Sequence, residues 1–129
     1  MANILIPEDI PSHNKGEAAL FFGLKESLHL FENANLTLFS LHPDVDRENY
    51  AGKAVVIDAR GVTPAHMLDA QGGTLAKIFN YLQFMGKHLL FGILYMCMGA
   101  RAANVMQGPV WRAYVDADLV LLSHDSFYT

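Results

Sequence analysis

Hydrophobic residues along this chain come in short blocks separated by polar turns, and the spacing within each block indicates which element it forms. Asn3 to Pro7 is a compact apolar run closed by a proline, and the polar stretch Glu8 to His13 follows it. From about Lys15 to Phe31 the pattern changes. Leu20, Leu24, Leu28 and Phe31 recur at spacings of three and four, which places them on one face of a helix and leaves Lys25, Glu26 and Asn33 to the wet side. Asn35 to Ser40, Lys53 to Asp58 and Asp118 to Ser123 are again compact runs rich in strand-favouring residues. Ala54-Val55-Val56-Ile57 and Leu119-Val120-Leu121-Leu122 do not alternate with polar residues, as strands covered on both faces require. This order of elements predicts a Rossmann-like α/β fold, a three-layer sandwich with a mostly parallel sheet of about four strands, in one domain over residues 1–129.

Between the third and fourth strands lie residues 59–117, more than one crossover helix needs, with turn signals at Gly61, Gly72-Gly73 and Gly108-Pro109. The interval predicts a long apolar helix over about Thr74 to Met98 and a second within Val110 to Val115, with Trp111 and Tyr114 as core residues. Lys77, Asn80, Gln83, Lys87 and His88 interrupt the long helix, and its unbroken apolar run, Leu89 to Met98, is below the roughly 18 residues that suggest a membrane span. The expectation is therefore no span, with this helix buried in the domain or packed against a partner domain. The chain stops just after the fourth strand, where a doubly wound sheet would continue, so it reads as the N-terminal fragment of a longer two-domain chain.

Composition narrows the setting. An apolar fraction of 52% against 17% charged is that of a folding chain, and a net charge of -4 supplies no basic field for nucleic acid. Cys97, the only cysteine, sits in an apolar run and reads as a core thiol in a reducing compartment. With no basic leader before the first strand, the expected location is the cytoplasm. The six histidines show no short metal-ligand spacing, so neither metal nor cofactor is expected. Self-association into a homo-oligomer stays open.

In an open parallel sheet, ligands gather beyond the carboxyl ends of the strands where the strand order reverses, which for the order 3-2-1-4 is between the first and fourth strands. The loop after the first strand carries Ser12, His13, Asn14, Lys15 and Gly16 at the start of a helix, where free N–H groups and the helix dipole favour an anion. The same residues also read as a cap, with Asn14 at the N-cap and Glu17 three residues later. Neither the P-loop ending nor the dinucleotide glycine fingerprint is present. The loop after the fourth strand carries His124 and Asp125, candidates for proton transfer, although neighbours in an extended segment rarely pair with each other.

The segment Asn14-Lys15-Gly16-Glu17-Ala18-Ala19-Leu20, after the strand Asn3-Ile4-Leu5-Ile6, resembles the opening of the polysaccharide pyruvyl transferase family, as does Trp111-Arg112-x-Tyr114-x-x-Ala117-Asp118-Leu119-Val120-Leu121-Leu122-Ser123 its helix leading into an Ala-Asp-Leu-Val strand. Many members carry a glycine-rich turn after that strand, where this chain has Ser123-His124-Asp125-Ser126. The resemblance implies the N-terminal half of a two-domain, glycosyltransferase-B-like enzyme of surface polysaccharide biosynthesis, which moves a pyruvyl group from phosphoenolpyruvate to two hydroxyls of a saccharide acceptor as a ketal. It implies that His13, Asn14, Lys15 and Gly16 face the donor or the acceptor, that His124 or Asp125 assists proton transfer, and that these residues without the C-terminal domain are inactive. Two other functions fit the same residues: a glycosyltransferase-like half that binds a saccharide or sugar nucleotide, and a non-catalytic interaction domain.

Overall fold

The computed structural model describes residues 1–27, 33–60, 62 and 72–122. Its elements are β1 (Asn3–Asp9), α1 (Lys15–Ser27), β2 (Asn35–Ser40), α2 (Pro43–Asn49), β3 (Val55–Asp58), α3 (Thr74–Met98), a 3-10 turn (Gly99–Arg101), α4 (Ala102–Met106), α5 (Pro109–Asp116) and β4 (Leu119–Val120). The four strands form one all-parallel sheet in the order β3-β2-β1-β4, so the fold is α/β and the order reverses beside β1. The chain divides into two compact units, residues 1–58 with 116–129, and residues 59–115.

In the first unit β1 is one of the two inner strands. Ile4, Leu5 and Ile6 are all buried, so both faces of β1 are covered, as its unbroken apolar run predicts. Ile4, Ile6, Ile10, Leu36, Leu38 and Val56 join Phe21 and Tyr50 in one hydrophobic cluster. Phe21 and Tyr50 meet at 4.7 Å between ring centroids, which clamps α1 and the end of α2 to the same face. The anchor of α1 is Phe21, 0% exposed, and not Leu20, which is 55% exposed. Neighbouring helix positions point about 100° apart, so only one of the two can face the sheet. Leu24 packs beside Phe21, one turn along, while Leu28 and Phe31 lie outside the described residues.

Several element ends differ from the sequence expectation for local reasons. β1 continues past Pro7 to Asp9, and its pairing with β2 jumps from Ile6↔Leu38 to Asp9↔Phe39. Pro7 has no N–H to donate, so the ladder skips it in a bulge. β3 starts at Val55 and not at Lys53, because the amides of Lys53 and Ala54 both donate to the Tyr50 carbonyl at the end of α2. The short helix α2 has no apolar periodicity, only a proline in its first turn together with Asp44 and Asp46.

The second unit departs furthest from expectation. α3 occupies the predicted residues, but none of them is buried, so the expectation that this helix is buried within the domain fails. Cys97 is exposed and is not a core thiol. Only one side of the helix packs within its unit. Phe91 stacks on Trp111 at 4.7 Å, His88 meets the same indole edge-on at 5.1 Å, and the Nδ1 of His88, carrying its proton, donates to the Phe84 carbonyl at 2.9 Å. Trp111 itself is buried, as expected.

Phe21→Ala should cost about 3–5 kcal/mol in denaturant unfolding, whereas Leu82→Ala on the open side of α3, where Leu82 is 61% exposed, should cost under about 1 kcal/mol.

Candidate functional site

The carboxyl ends of β1 and β2 are tied together by one buried carboxylate. Asp46, on α2, is 1% exposed. Its Oδ1 accepts both the backbone N–H and the hydroxyl of Ser12, at 2.8 and 2.6 Å, and its Oδ2 accepts the Ser40 hydroxyl at 2.5 Å. The Ser12 hydroxyl accepts in turn from Asn49, and the Ser40 hydroxyl from the His42 amide. A second carboxylate, Asp9 at the end of β1, accepts the Leu41 amide just beyond β2 at 2.9 Å. The Tyr50 hydroxyl closes the set by donating to the Ile10 carbonyl at 2.9 Å.

This scaffold decides what the loop after β1 can offer. The amides of Ser12, Asn14, Gly16 and Ala18 already donate to Asp46, to the Pro11 carbonyl, to the Asn14 side chain and to the Asn14 carbonyl. Asn14 thus acts as the N-cap of α1. A Cβ added at Gly16 would lie 3.5 Å from the Asn14 side-chain oxygen, an ordinary contact, so nothing in the fold itself demands glycine there. Of the five residues singled out from sequence, Ser12 is committed to Asp46 and Asn14 and Gly16 to each other, while His13 and Lys15 are exposed. His124 and Asp125 lie outside the described residues.

The structure adds two groups that sequence reasoning passed over. His42 stands directly after β2, and its ring meets that of His13 edge-on at 5.1 Å between centroids. Asp9 lies in the field of His42, Asp46 and Glu17. Burial holds its carboxyl above the ordinary range, the Leu41 amide partly offsets that, and the Asp46 carboxylate adds to it. A carboxyl raised in this way holds its proton more readily than a solvated one, and the His42 imidazole stands in its field. A sequence signal existed for both: Asp9 and His42 are the titratable residues at or just beyond the ends of β1 and β2, as Asp58 is for β3. Among the described residues, no three His, Cys, Asp or Glu side chains converge as metal ligands.

Comparison with protein-family models, with curated proteins and with solved structures finds no match for this chain.

Two measurements check this arrangement. Asp46→Ala leaves three donors without an acceptor and should destabilise the fold by about 2–4 kcal/mol, with Asp46→Asn, which keeps one acceptor oxygen, costing less. Tyr50 titrates at about 12 against an ordinary 10.0, chiefly through burial and then through the Asp46 charge. The folded state therefore keeps the phenolic proton where the unfolded chain has begun to lose it, so stability is present below pH 10 and falls between about 10 and 12. Tyr50→Phe should flatten that alkaline loss in a thermal-denaturation series while lowering stability at neutral pH through the missing hydrogen bond to Ile10.

Proposed function

We propose that the carboxyl edge of β1, with the start of α1, is the small-molecule site of a polysaccharide pyruvyl transferase-like enzyme, and that this chain forms its N-terminal, glycosyltransferase-B-like portion. The observation that carries the reading is the meeting of His13 and His42, with Asp9 in the field of His42, at the carboxyl ends of β1 and β2, β1 being the strand beside which the sheet order reverses. Transfer from phosphoenolpyruvate needs an acid to protonate the enol carbon, cations to hold phosphate and carboxylate, and a base to take the proton of the attacking sugar hydroxyl. Asp9, with its raised carboxyl, suits the acid. Lys15 suits the anion. His13 and His42 suit proton exchange, joined by His124 or Asp125 from the segment that follows β4.

The site favours side-chain over backbone capture of the anion, since the loop amides named above are already engaged. The same occupied amides give a specific reason to keep the saccharide form of the second reading, a half-enzyme that binds an uncharged sugar face.

Thermal shift measurements separate these. Phosphoenolpyruvate at roughly 100 times its dissociation constant should raise the melting temperature by several degrees, and both His13→Ala and Lys15→Ala should remove that shift. No shift at saturating phosphoenolpyruvate, or a sugar-nucleotide shift that phosphoenolpyruvate does not compete with, would replace the pyruvyl reading by the second one. In the native gene product, His124→Ala should lower pyruvyl transfer more than tenfold, and normal turnover would remove His124 from the mechanism.

A further inference from the structure

α3 carries its polar residues on one side only. At about 3.6 residues per turn, Lys77, Asn80, Gln83, Lys87 and His88 fall within one half of the circumference, the half that also presents Phe84 and Phe91. The other half holds Leu75, Ile78, Leu82, Met85, Leu89, Ile93 and Met96, repeating at three and four, with no charged or amide side chain among them. Leu75 and Met96, at its two ends, are 83% and 88% exposed, and Leu89 between them is 67% exposed.

Charge on the same segment is one-sided as well. Residues 72–115 hold four of the chain's nine Lys and Arg (Lys77, Lys87, Arg101 and Arg112) and none of its thirteen Asp and Glu. The other residues hold five cations against all thirteen carboxylates. A second copy packed stripe to stripe would leave these cations on the far side of both helices, with no carboxylate in the segment to meet them. An anionic surface meets both features, the apolar stripe and the long-stemmed cations of the polar half, which reach back towards the headgroups.

Topology decides how such a surface is met. A helix of 25 residues is long enough to cross a bilayer, but crossing once puts its two ends on opposite sides. β3 precedes α3 and β4 follows it, and both strands belong to the same sheet, so the chain must leave and return on one side. A return crossing would need roughly 20 further apolar residues. Only residues 59–73 separate β3 from α3, and the helices between α3 and β4 have 5 and 8 residues.

We propose that α3 is a monotopic membrane anchor. It lies in the plane of an anionic lipid surface, with Leu75, Ile78, Leu82, Met85, Leu89, Ile93 and Met96 inserted among the acyl chains. Lys77 and Lys87 extend from the opposite side of the helix towards the headgroups.

The test uses the whole chain and vesicles of phosphatidylcholine, with and without phosphatidylglycerol. Cosedimentation should show at least about tenfold stronger binding to the anionic vesicles, weakening as salt is added. The double variant Leu82→Gln, Leu89→Gln should keep the circular dichroism of the parent and lose at least tenfold in binding, because neither side chain holds a core. A polarity-sensitive fluorophore reports the geometry. It is attached at Cys97, exposed near the end of α3, and in a Cys97→Ser background at Leu75→Cys and Met85→Cys. All three positions should be quenched alike by shallow lipid-borne quenchers. A deep middle with shallow ends would mean a span and overturn the proposal. So would equal binding to both vesicle types, or no vesicle binding accompanied by concentration-dependent dimerisation in sedimentation.

Discussion

A carboxylate removed from water must recover, from donors held in place, what hydration supplied. Asp46 recovers it from Ser12, in the loop after β1, and from Ser40, the last residue of β2, and it sits on the helix that follows β2. The loop after β1, the end of β2 and α2 are therefore one hydrogen-bonded piece. Tyr50, at the end of that helix, carries the restraint back to Ile10 through its hydroxyl and into the core through its ring against Phe21. The orientation of His13 and His42 towards each other follows from this piece, because Ser12 precedes the first ring and the Ser40 hydroxyl accepts the amide of the second.

The same piece limits the chemistry available at the strand ends. Burial and the neighbouring Asp46 charge raise the Asp9 carboxyl, and the Leu41 amide keeps one of its oxygens oriented. The amides of Ser12, Asn14, Gly16 and Ala18 serve to hold the turn. The carboxyl and the nearest lysine of the loop come from different places: Asp9 from the strand, Lys15 from the first turn of α1.

The two compact units use hydrophobic residues in opposite ways. In the first, a few side chains such as Ile6 and Phe21 are wholly covered and define the strand packing. In the second, the longest apolar segment of the chain presents most of its large side chains to the surroundings, and its Phe91 and His88 pack on Trp111. Segregation of nearly half the cations into a stretch without a single carboxylate gives that exposed segment an electrostatic preference as well.

The parallel sheet could be read from the chain because its cause is local. The apolar blocks at Ile4 to Ile6 and Val55 to Ile57 are short and unalternated, and the order 3-2-1-4 assumed for a doubly wound sheet is the one found, although Val55, Leu119 and Val120 on the outer strands stay exposed. Asn14 as a cap could be read for the same reason, its hydrogen bond reaching only two residues along the chain. What sequence could not supply were relations across long separations: Asp46 to Ser12, thirty-four positions apart, and His13 beside His42. Nor could it tell a buried apolar helix from an exposed one, since composition records how much apolar surface α3 has and not what covers it. Sequence determined which residues form the strands and helices of this protein, through periodicity and local hydrogen bonding. Tertiary structure alone decided which carboxylate is buried, which histidines meet and which apolar face stays open, because burial depends on neighbours that folding brings from distant parts of the chain.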